Sequence, residues 1–141
     1  MNTQEANNRS LEELENDFWN VPSEFPTKLV ESVFLLRRKP IYNLDANEIR
    51  ILLSQNVGLK YIVPLAISLL NRNVYEEALY YPGDLLLTLL KVEESFWLKN
   101  IQQKNELIKL INKKRPNIIK SDILDEDIKN EILDKFQKLV V

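Results

Sequence analysis

Apolar side chains recur every three or four residues along most of the chain, which is the spacing of one face of an α-helix. Pro, Gly and short polar runs separate the segments that carry this pattern. No stretch alternates apolar and polar residues for long enough to indicate a half-buried strand. The pattern therefore predicts an all-α protein, a single-domain irregular bundle of about seven helices.

Two residue pairs have the spacing of a capping box, in which two side chains bond each other's free backbone amides at a helix start. Ser10 with Glu13 predicts the start of a first helix, and Asp45 with Glu48 predicts the start of a third. The second helix lies between them and is expected to end at Pro40. We expect it to bury Leu29, Val33, Phe34 and Leu36.

Glycine and proline set the expected boundaries of the next helices. Gly58 is expected to close the third helix. Pro64 places the start of the fourth helix near Val63, because proline is tolerated in a first turn but not in a helix interior. Residues 74–79 are predicted to form a short helical segment.

Asp84 is the expected N-cap of a helix made almost wholly of leucines, which we place at the centre of the core. Residues 93–113 are predicted as one long helix that buries Ile101, among others, and that Pro116 stops. A final amphipathic helix is expected over residues 125–139.

Missing residue types exclude most enzymatic chemistry. The 141 residues include no cysteine or histidine, so thiolate nucleophiles, imidazole bases and the usual zinc ligands are absent. Two glycines cannot build a phosphate-binding loop or a dinucleotide fingerprint. We therefore expect no catalytic residue, cofactor, metal or small-molecule substrate.

The start of the chain and its apolar runs bear on where the protein acts. The first residues lack the basic start and apolar run of a signal peptide, and no segment is apolar enough to span a membrane. We therefore expect a cytoplasmic protein that does not enter a membrane.

Charge is distributed unevenly along the chain. Residues 1–97 contain 14 acidic and 9 basic residues, whereas residues 98–141 contain 7 acidic and 10 basic residues. The first part suits a basic partner. The second part contains one cluster that would suit nucleic acid, formed by Lys113, Lys114, Arg115 and Lys120. A net charge of −2 and the lack of a recognition motif argue against that role, and a helix C-terminus also favours such a cluster.

An acidic string near the N-terminus, formed by Glu12, Glu13, Glu15 and Asp17, is compatible with an acid/base pair, a metal clamp or a binding edge for a basic protein. It is equally typical of a solvated helix start. Catalysis needs carboxylates in different environments, and neighbours on one exposed helix share theirs. Phe18 and Trp19 follow directly; they would anchor an interface or, the interpretation we favour here, fasten the helix to the core.

The sequence Tyr-Tyr-Pro-Gly-Asp at residues 80–84 is the most individual stretch. As structure, it is a turn followed by a helix cap. As a binding site, it would display Tyr80, Tyr81 and Asp84 toward a cationic cleft, in a patch that Glu76 and Glu77 widen.

Four motifs, taken in order, carry a resemblance to a known family. They are LEELENDFW at residues 11–19, RKP at residues 38–40, IRILLSQNVGLKYIVPLA at residues 49–66 and YYPGDLL at residues 80–86. In these motifs the chain resembles the helical immunity proteins of bacterial contact-dependent growth inhibition (CDI) systems. The resemblance implies an immunity-family core at residues 9–98. Residues 1–8 are polar, and we expect them to be disordered. The resemblance does not cover residues 99–141, which we expect to form C-terminal helices packed on the same domain.

The resemblance also implies a function. Such a protein binds the C-terminal toxin domain of a CDI effector in a 1:1 complex and blocks its active site, and related members are associated with ribonuclease toxins. The favoured toxin is a basic nuclease, in particular a ribonuclease. The expected toxin-binding residues are Glu12, Glu13, Asp17, Glu76, Glu77, Tyr80, Tyr81 and Asp84.

Two other functions stay open from the residues. The alternative is a small helical antitoxin or transcriptional regulator that binds DNA through its basic C-terminal helices. A more remote one is an enzyme that depends on Glu12, Glu13 and Asp84, which substitution of those residues would test.

Overall fold

Helices form almost all of the regular structure in the computed structural model, which describes residues 8–141. Within that range eight α-helices and one 3-10 helix occur, and no strand beyond a single isolated bridge, so the predicted all-α fold is confirmed. The expected disorder of residues 1–8 falls outside the described residues except at Asn8. The α-helices are α1 (Leu11–Glu15), α2 (Lys28–Leu36), α3 (Ala46–Ser54), α4 (Leu59–Arg72), α5 (Asp84–Leu90), α6 (Glu94–Lys99), α7 (Ile101–Lys120) and α8 (Glu126–Val140), and the 3-10 helix is Ile41–Asn43.

Both capping boxes are confirmed. The Ser10 side chain accepts a hydrogen bond from the Glu13 amide while the Glu13 carboxylate accepts one from the Ser10 amide, and Asp45 and Glu48 do the same at α3. The prediction for Gly58 was wrong, because α3 already ends at Ser54 and Gly58 is the N-cap of α4. Its φ of +63° is a conformation that glycine adopts without steric cost.

The core is centred on α5, as the leucine run predicted. Its five leucines are all buried, three of them with no exposed surface. α3, α4 and α8 all pack against α5, and α7 packs against α4 and α8. No helix within residues 8–141 is long and apolar enough to cross a membrane.

The predictions based on Pro64 and Pro116 were wrong, since both prolines lie inside helices. α4 begins at Leu59, so Pro64 falls in its second turn and deprives the Lys60 carbonyl of its helical donor. The Gln103 side chain of α7 donates to that carbonyl instead, at 3.3 Å. α7 continues past Pro116 to Lys120. Ile118, two residues after the proline, is completely buried, and its burial stabilises this last part of the helix.

Other element predictions need correction. The expected long helix is divided at Asn100 into α6 and α7, and residues 74–79 form turns instead of a helix. The N-cap of α5 is Gly83, because Asp84 is its first helical residue. Leu29 and Ile101, both expected in the core, are 42% and 51% exposed.

Candidate functional site

The residues expected to bind the toxin lie in two separate places. Glu12, Glu13 and Asp17 belong to α1 and the turn after it, which lies against the first turn of α4: the Tyr61 hydroxyl donates to the Leu14 carbonyl at 3.4 Å. The others lie in the loop at residues 73–83, which follows the last turn of α4, and at Asp84, the first residue of α5. α4 has 14 residues, so its ends are about 20 Å apart.

Glu13 is mainly committed to helix capping. Its carboxylate accepts hydrogen bonds from the Ser10 amide at 3.1 Å and the Ser10 hydroxyl at 3.0 Å. The backbone bond from Ser10, followed by the side-chain bond, lowers the pKa of the Glu13 carboxyl from its usual 4.5. Glu13 remains exposed, so it stays a negative charge at the surface near neutral pH.

The other carboxylates of the acidic string have basic partners on the segment after α2. Glu12 lies 3.5 Å from the Arg38 guanidinium. Glu15 and Asp17 lie 3.2 Å and 3.8 Å from Nη2 of Arg37. These ion pairs offset part of the negative potential that the sequence predicts for α1.

Arg37 is the residue that the sequence interpretation missed. It is only 1% exposed, and its Nη2 also donates to the Asp17 carbonyl at 2.8 Å. The Trp19 ring covers the guanidinium with its centroid at 3.9 Å, and the Trp19 indole donates to the Asp17 carboxylate at 3.3 Å. The sequence marks Arg37 only as the first of two adjacent arginines, which does not distinguish a buried cation from an exposed one.

Asp84 is buried and satisfied within the protein. Its carboxylate accepts backbone hydrogen bonds from Ala78 at 2.6 Å, Leu79 at 3.0 Å and Tyr80 at 2.9 Å. Three charge-assisted bonds hold the loop at residues 78–80 onto the start of α5. Because Asp84 is 2% exposed, it stabilises the loop and offers a partner almost no surface.

The rest of the loop exposes its residues unequally. Tyr80 is 67% exposed and its ring lies over the Arg50 guanidinium at 4.8 Å, whereas Tyr81 is half-buried against the core. Glu76 is half-buried and accepts from the Asn73 side chain, and Glu77 is exposed. The loop therefore exposes the Tyr80 phenol and the Glu77 carboxylate, while the Glu76 carboxylate is half-buried.

A groove of about 570 Å³ lies between the start of α3 and the end of α4, next to Glu76. Its floor is apolar, and its polar lining combines the acids Asp45 and Glu76 with the base Arg72. Asp45 is already used as the N-cap of α3. This mixed lining does not select a ligand of one charge.

The basic cluster is arranged differently from the expectation. Because α7 continues to Lys120, the cations at positions 113–115 lie well before its C-terminal end, and only Lys120 is in the last turn. Lys114 is half-buried and the other three are exposed.

Across residues 8–141, no group of three or more His, Cys, Asp or Glu residues could hold a metal ion. Each of the four carboxylates of the acidic string already bonds to another group of the same chain.

Comparison with known proteins adds one match. A family model described as CDI immunity proteins matches residues 13–108, which run from α1 into α7. No curated protein and no solved structure matches the chain. The matched part covers well over half of the chain and contains all the expected toxin-binding residues except Glu12. The chain therefore belongs to the family of CDI immunity proteins, which confirms the family resemblance and gives it an immunity function against a CDI toxin.

Proposed function

We propose that this immunity protein neutralises a nuclease toxin domain, in particular a ribonuclease, by forming a 1:1 complex that covers the active-site cleft. The protein acts as a stoichiometric inhibitor without turnover, in the cytoplasm, where an RNA-cleaving toxin meets its substrate. Membership of the CDI immunity family is the observation that carries the proposal.

Charge supports a nuclease as the partner. A nuclease cleft is basic because it holds phosphates, and residues 1–97 of this chain have five more acids than bases, 14 against 9. Exposed carboxylates such as Glu13, Asp17 and Glu77 would attract that cleft during the encounter. Internal ion pairs offset part of the charge on α1, so we assign these acids mainly to steering and less to the tightness of the complex.

The test uses the purified chain and the C-terminal domain of the CDI effector encoded next to it. The toxin domain alone should degrade RNA, and adding the chain should abolish cleavage at one molar equivalent. The association rate should fall as salt rises, because steering between exposed charges is screened. A toxin domain from an unrelated CDI system is the matched control and should keep its activity.

Absence of a complex with the neighbouring toxin would overturn the immunity pairing. A complex that forms while RNA cleavage continues, or a toxin that cleaves no nucleic acid, would overturn the nuclease and active-site parts of the proposal and leave the pairing intact.

A further inference from the structure

Exposed apolar side chains are concentrated in one short part of the chain. Of the fifteen large hydrophobic residues that are exposed within residues 8–141, six lie between positions 18 and 35. Single exposed hydrophobics are ordinary on a soluble protein, whereas a cluster marks an interaction site. We call five of these residues the N-terminal apolar surface: Phe18, Trp19, Val21, Leu29 and Val30. Leu35 follows Leu29 and Val30 by six and five positions, so it lies on the opposite side of α2 and is left out.

Two contacts hold the loop at residues 16–27 onto α2, so that the members share one region. Trp19 stacks on Arg37 just after the end of α2, with 3.9 Å between the guanidinium carbon and the ring centroid. Phe25 packs edge-on against Phe34 in the middle of α2, with ring centroids 5.3 Å apart. The loop therefore runs along α2.

The apolar face of α2 extends beyond the core that covers it. Leu29 and Val30 lie one helical turn before Val33 and Phe34, on the same face of the helix. Val33 and Phe34 are 7% and 6% exposed, whereas Leu29 and Val30 are 42% and 45% exposed. One face is thus apolar over its whole length but covered over only its second half, which leaves its first turn for a partner.

Arg37 fixes the position of Trp19. Its guanidinium is buried between Glu15, the Asp17 carbonyl and the Trp19 ring, and its Nε has no hydrogen-bond partner. Burying a cation is unfavourable unless it is paired, and its partners all belong to the segment at residues 15–19. A ring held in this way loses little conformational freedom when a partner binds.

Carboxylates outnumber cations around this surface. Glu13, Glu15, Asp17 and Glu24 are exposed there, and two of them, Glu15 and Asp17, share the buried Arg37. The exposed cations are Lys28 and Arg38, of which Arg38 is paired with Glu12. An apolar centre with a charged border is the usual anatomy of a protein interface, and aromatic residues dominate its binding energy. The partner that fits is a protein surface with an apolar centre and a basic border.

We propose that the N-terminal apolar surface is where the toxin domain docks, with Trp19 as the anchor and Arg37 as the residue that positions it. This inference rests on the proposed function, in which the chain acts by binding a toxin. The family match supplies the partner, since a CDI immunity protein has a cognate toxin, and the matched residues 13–108 include the whole surface.

The first experiment measures the affinity of the full chain and its variants for the purified toxin domain by titration calorimetry. Trp19→Ala should raise Kd at least about 30-fold, and Leu29→Ala about 5-fold, with unchanged circular dichroism. Trp19→Ala also uncovers Arg37, so its Tm should fall while the chain stays folded at the assay temperature. Tyr42→Ala is the aromatic control, because Tyr42 is 73% exposed and is not among the expected toxin-binding residues, and Leu98→Ala is the aliphatic control. Both controls should stay within about twofold of the unaltered chain.

The outcomes separate this inference from the proposed function. If the unaltered chain does not bind the toxin, the proposed function fails. If it binds and inhibits while Trp19→Ala and Leu29→Ala bind equally well, only the surface is wrong. A dimer of the unaltered chain that Trp19→Ala dissociates, with unchanged toxin affinity, would assign the surface to a second copy of the chain and overturn the inference.

A double-mutant cycle tests the role of Arg37. Arg37→Lys keeps the charge but loses the planar stack on Trp19, so it should weaken toxin binding in the unaltered background. In the Trp19→Ala background the same change should have almost no further effect, because Arg37 acts through the ring. Additive losses in the two backgrounds would contradict a positioning role.

Discussion

Helix α5 and the N-terminal apolar surface each contain five large apolar side chains and differ in what covers them. All five leucines of α5 are at most 7% exposed, whereas all five members of the N-terminal apolar surface are at least 42% exposed. Apolar content therefore does not by itself assign a segment to the core. The first set stabilises the fold, and we propose that the second binds the toxin.

The largest expected effect comes from truncating one leucine in each region. Leu86→Ala removes a side chain with no exposed surface and should lower the free energy of unfolding by about 2–5 kcal/mol. Leu29→Ala, at 42% exposure, should lower it by about 1 kcal/mol or less. Urea unfolding of both variants measures the difference, and similar losses would remove the contrast between the regions.

Asp84→Asn tests whether this carboxylate belongs with α5 or with a binding patch. The amide keeps the size of the side chain but loses the charge that three backbone amides share, so stability should fall by about 2–3 kcal/mol. Glu77→Gln, on the exposed part of the same loop, should change stability by less than about 0.5 kcal/mol. An Asp84→Asn variant of full stability with reduced toxin affinity would return Asp84 to the interface.

Gly83→Ala tests how closely α8 approaches the start of α5. Gly83 has a φ of +88°, and an added Cβ would lie 2.9 Å from a Leu124 side-chain carbon. Backbone strain and this contact should together lower the free energy of unfolding by about 1–2 kcal/mol. Unfolding measurements check it, and an unchanged or raised stability would mean that the turn before α5 is less constrained than described.

Local chemistry made part of this fold predictable from the sequence. The capping boxes and the α5 leucines depend on neighbours a few residues away, and both were predicted correctly. The predictions for Pro64 and Pro116 were wrong because the outcome depends on groups outside the local sequence pattern. The Gln103 side-chain amide donates to the carbonyl that Pro64 leaves without a helical donor. The burial of Ile118 stabilises the helix beyond Pro116.

The candidate site was less predictable for the same reason. Asp84 before a leucine run has the local pattern of an N-cap, and only the folding back of residues 78–80 gives its carboxylate other partners. The exposure of Trp19 and the burial of Arg37 both depend on how the loop at residues 16–27 lies on α2. No spacing rule along the chain contains that information.

The smallest expected effect is a change in how stability depends on pH. The pKa of Glu13 is lowered in the folded protein, so its carboxylate adds stability above its unfolded value of 4.5, and this contribution is lost as pH falls through the folded pKa. Glu13→Gln should therefore reduce stability at pH 7 and differ less from the unaltered chain at pH 3. Urea unfolding at both pH values tests this, and a difference that does not shrink in acid would contradict it.

Hydrogen exchange of the chain, alone and with its toxin domain, tests the central claim most directly. Toxin binding should slow the exchange of backbone amides at residues 16–36. Amide exchange should be unchanged in α7, which carries the exposed cations, and at residues 73–84. Slowed exchange confined to residues 73–84 or to α7, with residues 16–36 unaffected in a complex that inhibits the toxin, would contradict it.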